Sequence, residues 1–199
     1  MSYDLLLAAA VFALVSSITP GPNNTMLMAS GVNFGFKRTL WHMLGVEIGF
    51  GILLLSVGMG LHTVLDQYPG AYDAMRYAGA AYMLWIAWKL ASAKPTQADI
   101  KITATPMGFW AAVAFQWVNP KAWVMAVTCM STYLAPHAGF AQVLLLAVLF
   151  IVVGSPSAAF WVGFGQAMRK WLQDPLRLRI FNIAMALALV ASLYPMLKP

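Results

Sequence analysis

Residues 16–28 read SSITPGPNNTMLM, and they fall inside an apolar run over 5–29 that is long enough to cross the hydrocarbon core of a bilayer as a helix. Thr19-Pro20-Gly21-Pro22-Asn23-Asn24-Thr25 comes about 15 residues into that run, where two prolines and a glycine interrupt the ladder of helix hydrogen bonds. Lipid cannot satisfy the backbone groups so released, so a break at that depth has to be buried in protein or line a wet cavity. Working outward, Gln116-Trp117-Val118-Asn119-Pro120-Lys121-Ala122 repeats the device in a later apolar run, with Pro120 100 positions after Pro20. Each break reads as the start of a second half-helix, capped by Thr19 or Asn119 with Pro20 or Pro120 in the first helical position. The positive ends of two such half-helices suit an anionic group such as a carboxylate.

The rest of the chain agrees with a membrane setting. Of its 199 residues 61% are hydrophobic and only 9% charged, too little polar surface for a water-soluble globule of this size. Six spans can be marked, at about 5–29, 39–65, 72–92, 107–134, 139–168 and 178–196. The expected fold is therefore all-α: a polytopic membrane protein of six transmembrane helices, with the first and fourth broken. It forms one transporter domain, 1–199, made of half-repeats at about 1–92 and 107–199 joined by the polar linker 93–106. Three spans per half make the halves inverted, a common plan of secondary transporters. Asp73-Ala-Met-Arg76 and Asp174-Pro-Leu-Arg177 recur loosely at the third and sixth spans.

Nine of the 12 basic residues fall in the odd-numbered loops: Lys37, Arg38, Lys89, Lys94, Lys101, Arg169, Lys170, Arg177 and Arg179. By the positive-inside rule those loops are cytoplasmic and both termini periplasmic. The same placement accounts for the net charge of +6 without any nucleic-acid partner. The acidic N-terminus, Met1-Ser-Tyr-Asp4, lacks the basic region of a cleaved signal peptide and reads as a retained first span. A single cysteine, Cys129, excludes an intrachain disulfide or a thiolate cluster. His42, His62 and His137 are too dispersed for a metal site and are expected at the interfaces, and no cofactor is implied. Trp41, Trp85, Trp88, Trp110 and Trp171 read as interfacial belt residues, whereas Trp117 and Trp123 flank the second break and could wall a pocket, form a cation–π contact with Lys121 or pack against lipid. Gly45 and Gly49 form a small-residue face for close helix approach, and Gly154-Ser155-Pro156-Ser157 reads as a kink or a cavity wall.

Glu47 is the one acid deep inside a span, and an intramembrane carboxylate should face a partner or water. It is the candidate for exchanging a proton or binding a substrate amine, with Lys121 as the natural opposite charge. The alternative is a fixed ion pair that only sets helix register. The expected substrate-binding set is Pro20, Gly21, Pro22, Asn23, Asn24, Asn119, Pro120 and Lys121. Competing classes are a membrane channel or structural subunit and an intramembrane enzyme. For the last, Ser155 or Ser157 with His42 lacks any nucleophile motif.

Pro20-Gly21-Pro22-Asn23, Gly35-Phe36-Lys37-Arg38, Gly79-Ala80-Ala81-Tyr82 with Trp88, and Asn119-Pro120-Lys121-Ala122 together resemble the lysine exporter and homoserine/threonine exporter (LysE/RhtB) family of bacterial amino-acid efflux proteins. The resemblance runs over nearly the whole chain, and 19–24, 78–89 and 115–119 look most like its cysteine and O-acetylserine exporter branch. It implies a multi-pass inner-membrane protein that exports small amino acids by proton antiport. The expected partners are the amino acid, protons and the lipid bilayer, with a homo-oligomer left open.

Overall fold

The computed structural model describes residues 1–61, 69–92, 105–135 and 138–191. Within them the chain forms eight α-helices and no strand: α1 (Tyr3–Ile18), α2 (Pro22–Phe34), α3 (Phe36–Gly58), α4 (Pro69–Ala91), α5 (Phe109–Gln116), α6 (Pro120–Tyr133), α7 (Phe140–Met168) and α8 (Pro175–Ala191). A single 3₁₀ turn, Trp171–Gln173, joins α7 to α8. The linker residues 93–104, His62, His137 and the end of the expected sixth span lie outside the described residues.

α3 and α7 are each long and apolar enough to cross a membrane, and α1 with α2 makes a third span if the pair, bent by 55°, is taken as one. That is fewer than the six expected from the apolar runs. α4 carries Asp73, Arg76 and Lys89, α5 and α6 share one run between them, and α8 is described for only 17 residues.

The burial pattern is inverted relative to a water-soluble helix. α1 turns Leu7, Val11, Leu14 and Val15 outward, each about half exposed, and buries only the small residues Ala9 and Ala13. Lipid offers no penalty to large apolar side chains, so helix association selects small residues at the contact instead. Trp41, Trp85, Trp88, Trp110 and Trp171 are all exposed, as the belt reading expects. α2 is the opposite case, with residues 24–32 buried throughout, including Asn24, Thr25 and Ser30. It is the central element and packs against α7, α3 and α8.

Glycines set the close approaches. A methyl at Gly31 would run into the Val162 carbonyl, and one at Gly165 into the Met28 carbonyl, so α2 and α7 touch backbone to backbone at two reciprocal points. On α3, Gly45 lies against Phe109 and Ala112, and a methyl at Gly49 would stand 2.7 Å from Val113 Cα. The small-residue face thus seats α5. Gly35, at φ 78°, makes the sharp corner between α2 and α3 in a conformation that glycine adopts without strain.

Candidate functional site

Both proline motifs break their helices. α1 ends at Ile18, and Thr19 turns extended at φ −61°, ψ 133°, as a residue before proline is driven to do. The restart falls two residues later than the sequence suggests. Gly21 is the N-cap of α2 and Pro22 its first residue. Thr19 instead closes α1, its Oγ1 donating to Val15 O at 2.5 Å. The second break follows the expected register: Asn119 caps α6, its Oδ1 accepting from Lys121 N at 3.2 Å, with Pro120 next.

The carbonyls freed at the first break are taken up by side chains. Asn24 Nδ2 donates to Ser17 O at 2.7 Å and to Thr19 O at 2.9 Å. Lys121 Nζ reaches across from α6 to donate to Thr19 O and, at 3.5 Å, to Pro20 O. The ammonium therefore sits at the negative end of the α1 dipole. Among the described residues it forms no ion pair with Glu47, so the opposite-charge partnership is replaced by a cation-to-carbonyl one. Gly21 makes room for this approach, since a Cβ there would stand 2.7 Å from Lys121 Cδ and the lysine would have to shift.

A second tie joins the breaks directly. Asn23 Nδ2 donates to Gln116 Oε1 at 2.8 Å, and Gln116 Nε2 returns a bond to Asn23 Oδ1 at 3.2 Å while also donating to Ala112 O. Gln116 is fully buried, and its part in the site is not evident from the sequence. It opens the second break motif, but nothing local names its partner, which is 93 positions away.

These elements enclose a cavity of about 50 Å³, room for a few waters or part of a small solute. Its wall is built by Ser16 and Ser17 of α1, Gly21 in the break, Asn23, Asn24 and Leu27 of α2, Val46, Glu47 and Phe50 of α3, Asn119 with Lys121, Ala122 and Met125 of α6, and Phe150, Gly154, Ser157 and Ala158 of α7. Of the expected set, Gly21, Asn23, Asn24, Glu47, Asn119 and Lys121 meet there. Pro20, Pro22 and Pro120 shape the breaks without lining the cavity. The backbone N–H groups of Asn23 and Asn24 have no preceding turn of helix to accept them, which leaves donors at the cavity edge. Glu47 is buried on α3 with its carboxylate against α7: a methyl at Gly154 would come within 3.0 Å of Glu47 Oε2 and 3.4 Å of Ser17 Oγ.

Several other readings are settled by position. Gly154-Ser155-Pro156-Ser157 is a cavity wall inside a continuous α7, with Gly154 and Ser157 on its lining. Trp123 is mostly buried, donates from Nε1 to Trp117 O at 2.8 Å, and packs edge-on against Trp117 at 6.3 Å. His42 is not interfacial: it is 2% exposed, because the α3 face that bears it turns inward with Thr39 and Val46, and neither ring nitrogen has a hydrogen-bond partner among the described residues. Asp174 Oδ1 accepts from Leu176 N and Arg177 N at 2.9 and 3.0 Å, so that acid is a helix cap.

Residues 14–192 match the family described as LysE type translocator. The chain is 34% identical over 193 residues to the cysteine/O-acetylserine efflux protein of Escherichia coli (strain K12), covering 96% of each. The protein of that name from Shigella sonnei (strain Ss046) shows the same identity and coverage. No solved structure matches. With a match that takes in both helix breaks and every wall of the cavity, the chain belongs to the LysE type translocator family, and is a membrane translocator, not an enzyme.

Proposed function

We propose that the chain exports small amino acids or their derivatives from the cytoplasm in exchange for protons, with cysteine and O-acetylserine, the cargo in its relatives' names, as first candidates. The observation that carries this is the cavity in which both helix breaks, a buried carboxylate and a lysine converge. The N–H groups at the start of α2, aided by the Lys121 charge, suit the cargo carboxylate. Glu47, buried without a counter-ion among the described residues, suits the cargo amine or the exchanged proton. Pro20, Pro22 and Pro120 contribute by holding the backbone open, and Asn119 by fixing the second half-helix.

The architecture behind this reading is six spans in two inverted halves, 1–92 and 107–199, joined by 93–106. Packing supports the exchange of halves: α1 lies on α7 as α5 lies on α3, and α2 lies on α7 as α6 lies on α3. The basic loops support an inner membrane location with both termini periplasmic.

Efflux from everted vesicles or proteoliposomes preloaded with cysteine, O-acetylserine, threonine, homoserine, lysine or arginine tests the proposal directly. Saturable movement of one of the small amino acids that quickens with an imposed pH gradient is the expected result. Movement that neither saturates nor responds to the gradient would assign the chain to the channel class.

A further inference from the structure

The α7 wall of the cavity holds a hydroxyl that the carboxylate-and-amine scheme does not use. Ser157 is 3% exposed, it lines the cavity, and its Oγ has no hydrogen-bond partner among the described residues. A serine within a helix ordinarily turns its hydroxyl back onto a carbonyl three or four residues earlier. Ser155 does so with Ile151 O at 2.6 Å, Ser56 with Ile52 O at 2.9 Å and Ser92 with Trp88 O at 2.6 Å. Ser157 forgoes that bond. A buried polar atom left unpaired is costly, and one that lines a binding cavity has an evident partner in whatever fills it.

Its position on the wall says which part of a cargo it meets. Gly154, one turn earlier on the same face, is where the Glu47 carboxylate and the Ser17 hydroxyl come together. Leu27, Phe50, Phe150 and Ala158 make the remaining lining near α7 apolar. A cargo amine held at Glu47, with its carboxylate toward the breaks, leaves its side chain for this apolar recess, where Ser157 Oγ is buried with no hydrogen-bond partner among the described residues. We propose that Ser157 reads a hydrogen-bonding heteroatom on the β-carbon of the cargo, selecting hydroxyl, thiol or ester side chains over apolar ones of the same shape. This rests on the export reading above. Such selection is effective because the apolar analogue leaves the site's buried hydroxyl unpaired.

The test uses the purified full chain in proteoliposomes, with labelled O-acetylserine as the cargo and unlabelled competitors in isosteric pairs, L-threonine against L-valine and L-serine against L-2-aminobutyrate. In the unaltered protein the hydroxyl member should compete about tenfold better or more, and in Ser157→Ala the two should fall within about threefold of each other. Ser157→Cys, which keeps a weak donor of similar size, should lie between. A purely structural serine would not move this ratio, even if its loss altered stability. A preference that is unchanged in Ser157→Ala, or lacking in the unaltered protein, overturns the assignment while leaving export intact. If no amino acid moves through correctly folded protein, the export reading itself falls, and this one with it.

Discussion

At the residue scale, Lys121 and Glu47 show how the same composition can serve two arrangements. A basic and an acidic side chain buried in one region suggest an ion pair, yet Lys121 is held by the carbonyls of Thr19 and Pro20, which the first break sets free. Removing the ammonium strips its charge-assisted bond from Thr19 O, which keeps only Asn24 Nδ2, and takes the lysine contact from Pro20 O. Lys121→Met is therefore expected to lower stability by about 2 kcal/mol, the usual scale of a hydrogen bond to a charged group, read as a fall in the thermal midpoint in detergent. A midpoint equal to that of the unaltered protein would refute the capping role. Glu47, by contrast, is free of any ion pair among the described residues, so its charge state is open to cargo and solvent. Glu47→Gln should uncouple transport: efflux down a cargo gradient persists, while its acceleration by a pH gradient disappears. Acceleration that survives the substitution would move the proton to another group.

The elements were legible in the sequence to different degrees, and the difference follows from how local each cause is. Proline acts on its own turn of helix, so both breaks could be read directly. The sequence places the start of α2 two residues early because Thr19 has two uses, capping the helix ahead or closing the one behind, and its hydroxyl takes the second by bonding Val15 O. The Gly45 and Gly49 face is visible as a motif, but the contact of Gly31 with α7 is not, since its partner Val162 lies far along the chain. The tie of Gln116 to Asn23 is hidden for the same reason. That seam yields a paired expectation. Gly31→Ala drives a methyl into a backbone carbonyl that cannot turn away, and should cost more than about 2 kcal/mol. Gly163→Ala, on the same helix as Gly165 with nothing within 4 Å of the added carbon, should be neutral or stabilise by up to about 1 kcal/mol through helix propensity. Thermal unfolding of the two variants side by side decides it, and equal losses would mean that α2 and α7 do not meet through Gly31.

For the whole molecule, large apolar residues of α1 and the tryptophans Trp41, Trp85, Trp88, Trp110 and Trp171 face outward while buried polar residues gather at α2, which is the order a lipid solvent imposes. Basic loops then give the molecule its direction across the bilayer. A reporter that is active only in the cytoplasm should be silent when fused at the C-terminus and active when inserted in 93–106; activity at the C-terminus would invert or shorten the proposed topology. The lysine that seals the first break has one more consequence, in time instead of space. Thr19 leaves the ribosome 102 positions ahead of Lys121. At ordinary rates of synthesis that gap is about 5–20 s, during which α1 and α2 stand in the bilayer with an unsealed joint. A nascent chain stalled before Lys121 therefore holds its first break through Asn24 alone, without the lysine contact that the finished protein has.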